Sequence, residues 1–265
     1  MIRHKGPYNS FRGLILLMSE VEMTNGPKSG DLLGLAPYEE AVKVATSDAS
    51  GFLRGFLERI CYPVAEELGL TFQDKVRAWR FGNLNKVAGR ANALLDGRPN
   101  AQELRAPPQL VAKIVEAASW IDCEELQDMW AGLLASSCTE EGKDDGNLVF
   151  VNLLNQLTSG QARVLKHSCE GSAKGRSQNG WLFANPLYAT REELEQITGI
   201  SDPYRLDREL DCLRALGLIE NQGGFQTFSP DPRANIQPSA LALYLYAKCR
   251  GHAGTPVDFY FPQRA

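Results

Sequence analysis

The sequence has few of the residues that build metal and catalytic sites. Its 6 cysteines include no C-x-x-C pair, and its 3 histidines lie far apart. A structural zinc site needs such ligands at short, paired spacings, so we expect no metal and no cofactor. Three cysteines fall within apolar helical patterns, which predicts small buried side chains. Unpaired cysteines indicate a reduced, cytoplasmic protein. The three are Cys123, Cys138 and Cys212.

Long hydrophobic runs are absent as well. The apolar run near the N-terminus, residues 14–18, has only five residues. That is too short for a signal-peptide core or a bilayer span, so no membrane span is predicted. Met18 opens a more typical polar start than Met1, which makes residues 1–17 an extension or a disordered arm in this interpretation.

An excess of one charge sign is also missing. The net charge of −4 gives no overall attraction to nucleic acid or anionic lipid. Residues 151–265 carry 12 basic and 11 acidic side chains, and residues 1–150 carry 16 and 21. DNA-reading elements need several cations to neutralise phosphates, so this balance favours a protein contact over DNA binding.

Apolar residues at helical spacing dominate what is present. After an expected loosely ordered arm over residues 1–36, the pattern predicts a helical body over residues 37–145. One apolar helix, "GFLRGFLERICYPV", is also compatible with membrane perturbation, although a place in the core explains it more simply. The body is expected to end in the polar loop "TEEGKDDGN".

Residues 146–265 show a different order of elements. A helix, a short helix, a turn, a longer helix and a hairpin turning at Gly223 and Gly224 follow one another, which is typical of a winged helix-turn-helix. An exposed loop is expected over residues 169–180. We therefore predict a mostly α-helical protein with a winged-helix-like C-terminal domain that contains a small β-hairpin.

Arg80 lies in the middle of an apolar helix face, between Val76 and Val87. A buried charge is costly unless it is paired and hydrogen-bonded. We therefore predict that Arg80 is buried in a structural ion pair with a carboxylate. The candidate partners are Glu125, Asp128 and Glu116.

The segment "CEELQDMWAGLL" contains three acids close together, Glu124, Glu125 and Asp128. They lie at a predicted helix start, where Asp122 and Glu125 resemble a capping box. Acids there complement the helix dipole by about 0.3–1 kcal/mol each, which explains them without a catalytic site. We interpret this helix as scaffold.

A basic helix face and two arginines are the candidate binding residues. Lys75, Lys86 and Arg90 share one side of a helix with Trp79, a combination that suits a nucleic-acid backbone or an acidic partner as well as a solvated surface. On the longer helix of the winged-helix pattern, Arg205 and Arg208 are the candidates. Four acids accompany them there: Asp202, Asp207, Glu209 and Asp211.

Arg163 and His167 support a nuclease alternative. Small helical RNases of the HEPN type use an arginine and a histidine a turn or two apart. Here only three residues separate the pair, one fewer than that motif requires, and an i, i+4 pair of this kind is also common by chance.

Three blocks of sequence resemble the abortive infection alpha (Abi-alpha) family of bacterial proteins. They are "PVAEELGLTFQDKVRAWRFGNLNKV", "PPQLVAKIVEAASWIDCEELQDMWAGLLASS" and "FVNLLNQLTSGQARVL", with a looser match through "LDRELDCLRALGLIE". The resemblance implies a helical body and an association with phage resistance, and it carries over no catalytic residue.

The sequence thus favours a non-catalytic interaction or sensor component of bacterial antiphage defence, although enzymatic activity stays open. A protein partner from host or phage is expected, and nucleic acid or a second copy of the chain are alternatives. The competing functions are a DNA-binding winged-helix regulator and a toxic RNase effector.

Overall fold

The computed structural model describes residues 72–101, 103–220 and 233–262, and it is mostly helical. The elements in chain order are α1 (Phe72–Asp96), α2 (Pro108–Ser119), α3 (Glu124–Ser136), α4 (Leu148–Leu154), α5 (Ser159–Gly171), β1 (Lys174–Arg176), β2 (Leu182–Ala184), β3 (Tyr188–Thr190), α6 (Arg191–Thr198), α7 (Pro203–Ala215), β4 (Arg233–Asn235), α8 (Ala240–Cys249) and α9 (Pro256–Tyr260).

Several predictions concern other parts of the chain. The N-terminal arm, the start at Met18, the helices between residues 37 and 71 and the turn at Gly223 and Gly224 lie outside the described residues. The chain divides into two compact units, Met1–Phe81 and Gly82–Ala265, and α1 runs across the boundary. The predicted division near residue 145 stays a prediction.

Helices α3 and α8 form the centre of the unit Gly82–Ala265. Ten of the 13 residues of α3 are buried, including Trp130, and α8 is buried on most sides. The two helices approach closely at Gly132, where an added Cβ would lie 1.6 Å from the backbone oxygen of Cys249. Only a residue without a side chain permits this contact, so Gly132 sets the distance between the two central helices.

The C-terminal strands are short and antiparallel, which confirms the predicted fold class of helices with a small β-hairpin. Strand β1 pairs with β2, and β3 pairs with β4. Before the undescribed residues 221–232, Ile219 forms an antiparallel bridge with Pro238. Glu220 N also donates to Gln237 O at 2.9 Å.

Local sequence signals explain where the C-terminal helices begin and end. The predicted capping box of Thr190 and Glu193 opens α6, because Thr190 Oγ1 accepts from Glu193 N at 3.2 Å and Glu193 Oε2 accepts from Thr190 N at 2.8 Å. Helix α7 begins with Pro203 and ends before Gly217, whose φ of +68° suits glycine. These signals are local, so they could be predicted.

Three local predictions were wrong. Residues 174–176 form strand β1, although an exposed loop was expected over 169–180. The N-cap of α3 is Cys123, whose side chain accepts no hydrogen bond from the first backbone N–H groups of the helix, so Asp122 does not form the expected capping box. Cys212 is exposed and Cys123 is half-buried, whereas Cys138 is buried as expected.

Candidate recognition surfaces

The acids at the start of α3 form ion pairs with arginines of two other helices. Arg90 on α1 lies 3.1 Å from Glu124 and 2.7 Å from Asp128, measured from guanidinium nitrogen to carboxylate oxygen. Arg163 on α5 lies 3.3 Å from Glu125. The acid cluster therefore connects α1, α3 and α5, which supports its interpretation as scaffold.

Glu125 accepts side-chain hydrogen bonds from two residues, one on each carboxylate oxygen. Its Oε2 accepts a hydrogen bond from the Cys123 thiol at 3.1 Å, and its Oε1 accepts from Arg163 Nε. These contacts, together with a backbone hydrogen bond, lower the pKa of Glu125, and the Cys123 contribution is the largest. Burial raises the pKa of the Cys123 thiol. Cys123 is therefore a protonated donor to Glu125, not a reactive thiolate.

The predicted basic face of α1 does not present all its cations freely. Arg90 is held by two carboxylates of α3, so part of its charge is neutralised within the protein. Lys86 is exposed and Trp79 is half-buried. Lys75 lies in the first turn of α1. The use of this face for binding stays a prediction.

Arg80 is buried, with 8% of its surface exposed, as its place in the apolar face of α1 predicts. The two acids expected as its partners have other arginines beside them, since Glu125 contacts Arg163 and Asp128 contacts Arg90. The ion pair of Arg80 with Glu125 or Asp128 stays a prediction.

Helix α7 presents a second candidate surface at its N-terminal end. Tyr204 is 87% exposed, and the side chains of Arg205 and Arg208 also point into solvent. Tyr204 was not predicted as a site residue. Its position directly after the N-cap and Pro203 is the only signal in the sequence that could have indicated an exposed side chain.

The acids of α7 are largely engaged elsewhere. Asp202 is the N-cap and accepts from Tyr204 N at 3.1 Å. Asp211 accepts from Arg214 at 2.7 Å. The pairing of Asp211 with Arg214 removes one charge of each sign, so the remaining charges are those of Arg205 and Arg208 with Asp202, Asp207 and Glu209.

Glu209 is the buried acid of α7 and attaches the helix to α5. Its Oε2 accepts from Thr158 Oγ1 at 3.0 Å and from Gln161 Nε2 at 2.8 Å. Thr158 and Gln161 themselves form the capping box of α5. The other oxygen, Oε1, lies 3.7 Å from nitrogens of both Arg205 and Arg208. Glu209 thus holds the buried side of α7 against α5, and it only partly neutralises the charges of Arg205 and Arg208.

Arg163 and His167, the residues of the nuclease alternative, have different surroundings. Arg163 donates to Glu125 and, through NH1, to the backbone oxygen of Thr198 at 2.9 Å. His167, one turn later on α5, is exposed. Arg163 is therefore held in a structural contact between α3, α5 and the end of α6.

The β1–β2 hairpin carries exposed aromatic residues that sequence reasoning missed. Trp181 is 77% exposed and Phe183 is 44% exposed. The signal was present in the sequence as Asn179-Gly180, a dipeptide typical of hairpin turns. Gly180 has a φ of +84°, and its N–H donates to Ser177 O at 2.9 Å.

The described residues define a mostly helical protein whose charged scaffold leaves aromatic and cationic side chains exposed at α7 and at the β1–β2 hairpin. Residues 82–236, more than half of the chain, match the abortive infection alpha family, and the chain belongs to this family. The resemblance stated from the three sequence blocks is confirmed. Searches of curated proteins and of solved structures find no match.

Two further observations bear on membrane and metal chemistry. Across the ranges that the structure describes, no helix combines the length and apolar character needed to cross a bilayer. In the same ranges, no three side chains among histidine, cysteine, aspartate and glutamate are grouped as metal ligands.

Proposed function

We propose that the protein is a non-catalytic interaction or sensor component of bacterial abortive infection, acting in the cytoplasm. The observation that carries the proposal is the outward face of α7, with Tyr204, Arg205 and Arg208 exposed on a helix that Glu209 anchors to α5. Exposed aromatic and arginine side chains on a rigid element are typical of binding surfaces. Membership of the abortive infection alpha family supplies the biological setting.

A winged-helix interpretation of the C-terminal part supports this choice of surface. Helix α5, strand β3, helices α6 and α7 and strand β4 follow one another along the chain, and β3 pairs with β4. In this interpretation α7 is the recognition helix, and the residues around the bridge between Ile219 and Pro238 begin and end the wing. The partner is a protein of host or phage in the primary form of the proposal.

A DNA-binding regulator is the second candidate function. It is favoured by the engagement of Asp202, Glu209 and Asp211 in contacts within the protein, which leaves Arg205 and Arg208 outward. Phosphate neutralisation by those arginines would make duplex binding fall steeply with salt. The RNase alternative has less support, because Arg163 is held by Glu125 and Thr198.

Phage challenge of cells that express the full-length chain tests the proposal. We expect the double substitution Tyr204→Ala and Arg208→Ala to abolish protection while the protein stays folded. Arg191→Ala is the matched control, since Arg191 is an exposed arginine on α6 whose contacts, with Glu195 at i, i+4 and with the backbone oxygen of Ser201, lie outside α7. Full protection by the double variant would overturn the proposal for this surface.

A salt series with duplex DNA and an RNA integrity check separates the alternatives. Duplex binding that weakens with salt and is lost in Arg205→Ala would favour the DNA-binding regulator. RNA cleavage that is lost in His167→Ala would favour the nuclease. If neither is observed and protection depends on Tyr204, a protein partner is the best account.

A further inference from the structure

The β1–β2 hairpin lies between α5 and β3, outside the order of elements that a winged helix requires. Its two strands are three residues long each, with Gly175 opposite Phe183 and Arg176 opposite Leu182. Trp181 directly precedes β2, and the alternation of exposed and buried side chains from Trp181 to Ala184 puts Trp181 and Phe183 on one face. On the other face, Leu182 and Ala184 are buried. The hairpin therefore packs by one face and exposes two aromatic rings on the other.

Close contacts hold the ring of Phe183 and the backbone of Trp181 in place. An added Cβ at Gly175 would lie 2.2 Å from Phe183 Cζ, so the ring of Phe183 lies directly across the glycine backbone. Trp181 N donates to Ser177 Oγ at 3.0 Å, and Trp181 O accepts from Ser177 N at 2.9 Å. The ring of Phe183, fixed in this way, loses little conformational entropy on binding.

The charge around the rings is positive although the chain is acidic. Between Gly171 and Thr190 the sequence contains Lys174 and Arg176 and no aspartate or glutamate, in a chain of net charge −4. Arg176 is exposed, and its guanidinium lies next to Gly180, directly before Trp181 in the turn. A positively charged surface attracts a polyanion more strongly than an acidic or neutral surface does.

Two neighbouring charged groups are already engaged. Lys174 Nζ donates to Glu170 O at 3.1 Å and lies 5.4 Å from the centre of the Tyr260 ring. Asp258, whose pKa is lowered chiefly by its hydrogen bond from Thr255 and slightly by Arg176, accepts from Thr255 Oγ1 at 2.6 Å. Arg176 is therefore the cation best placed to meet a phosphate beside the rings.

We propose that the β1–β2 hairpin binds single-stranded nucleic acid, with bases stacked on Trp181 and Phe183 and Arg176 contacting the backbone. Residues two apart on a strand are separated by about 7 Å, which allows successive or alternate bases to stack. Stacking on exposed aromatic rings accepts any base, whereas the bases of a duplex are stacked on one another and unavailable. The inference does not depend on the role of α7, because it concerns a different surface.

Fluorescence anisotropy with labelled 20-nucleotide oligonucleotides tests the inference on the full-length chain. Oligo-dT, oligo-rU and a duplex of equal length are the probes, at about 50 mM salt, a concentration at which phosphate contacts are strong. We expect the single strands to bind and Trp181→Ala to weaken binding about tenfold. Trp181→Phe should restore most of the affinity, since it keeps a stacking ring. Arg176→Gln should lower the salt dependence, by a slope of about 0.7.

One further test variant and two control variants keep the result interpretable. Phe183→Leu keeps an apolar side chain over Gly175 but removes the ring, so it should weaken binding without unfolding the hairpin. Trp120→Ala removes another exposed tryptophan, and Tyr204→Ala alters α7; both should bind as the wild type does. Absence of single-strand binding by the wild type would overturn the inference. Equal binding by Trp181→Ala, or equal loss in Tyr204→Ala, would also overturn it.

A protein ligand is the competing occupant of the same rings. Capture of a protein from infected cells that is lost in Trp181→Ala, combined with no oligonucleotide binding, would overturn the nucleic-acid assignment in favour of a protein contact. If Trp181→Ala loses oligonucleotide binding but keeps phage protection, the binding by the hairpin is independent of the proposed function of α7.

Discussion

Helices α3 and α7 both carry several charges, yet they use them in opposite ways. In α3, Glu124, Glu125 and Asp128 reach arginines of other helices. In α7, Glu209 points inward while Arg205 and Arg208 stay exposed. The charges of α3 thus form contacts within the scaffold, whereas Arg205 and Arg208 of α7 remain exposed to solvent. Changes in α3 should therefore alter stability, and changes on the outward face of α7 should alter binding alone.

Gly132→Ala should have the largest effect, because it acts on the scaffold side of the comparison. The new Cβ would lie 1.6 Å from the Cys249 backbone oxygen, so α3 and α8 would have to separate. Overpacking of a core commonly costs about 1–3 kcal/mol, and backbone atoms yield less than side chains do. We expect a loss of about 3 kcal/mol or more in the free energy of unfolding, measured by urea denaturation.

Gly89→Ala is the matched control for this change. Gly89 is also a helical glycine, but an added Cβ there would have no neighbour within 4 Å among the residues that the structure describes. Alanine is favoured over glycine in a helix by about 1 kcal/mol, so this variant should be more stable than the wild type. Equal destabilisation by both variants would contradict the close contact of α3 and α8.

Glu209→Gln should have the second largest effect, and it tests the inward side of α7. One carboxylate oxygen accepts from both Thr158 and Gln161, and an amide oxygen could accept the same two bonds only without the negative charge that strengthens them. Hydrogen bonds to a charged group contribute about 1.5–3 kcal/mol, so a loss of about 2 kcal/mol is expected by thermal and urea unfolding.

The control for Glu209→Gln is the same change at Glu195. Glu195 forms a surface i, i+4 pair with Arg191 at 2.7 Å, and such pairs are worth less than about 0.5 kcal/mol. Similar losses in the two variants would show that Glu209 does not anchor α7. Glu209→Gln should also strengthen any duplex binding through α7, since Arg205 and Arg208 would lose their neighbouring negative charge.

The parts of this picture that could be predicted from the sequence depend on local signals. The capping box of Thr190 and Glu193, the end of α7 at Gly217 and the burial of Arg80 each follow from residues within one helix or its ends. The family blocks were predictable for the same reason, because they are contiguous segments.

The remaining features depend on contacts between distant residues. Glu209 lies 51 residues from Thr158 and 48 from Gln161, so no spacing rule could show which way it points. The β1–β2 hairpin had a turn signal at Asn179-Gly180, but strands of three residues are too short for an alternating pattern to be recognised.

Glu125→Gln should give a smaller, pH-dependent loss in the scaffold. Hydrogen bonds and Arg163 lower the pKa of Glu125 from its ordinary value of 4.5, so the ionised form stabilises the folded chain. That contribution is fully present above pH 4.5 and is lost as the pH falls through the lowered pKa of the folded state. For a partly exposed pair we expect less than about 1 kcal/mol at pH 7.

Urea unfolding of the wild type and Glu125→Gln at several pH values between 7 and about 3 measures this effect. The difference between the two proteins should shrink as the pH falls. Glu140→Gln, at an exposed loop position, should show no comparable dependence. A difference that stays constant with pH would mean that the charge of Glu125 does not contribute.

Tyr204→Ala should have the smallest effect on stability, and it sharpens the comparison with a tyrosine of the scaffold. Tyr204 is 87% exposed, and substitutions at such positions usually change stability by less than about 0.5 kcal/mol.

Tyr244 on α8 instead packs edge-on against Phe150, with ring centres 5.0 Å apart. Tyr244→Ala should therefore lower the free energy of unfolding by more than about 1 kcal/mol, because it removes an aromatic contact and buried apolar surface. Thermal unfolding of both variants, beside phage protection, would separate a tyrosine used for recognition from one used for packing. Loss of stability in Tyr204→Ala would place α7 with the scaffold and remove the contrast between the two helices.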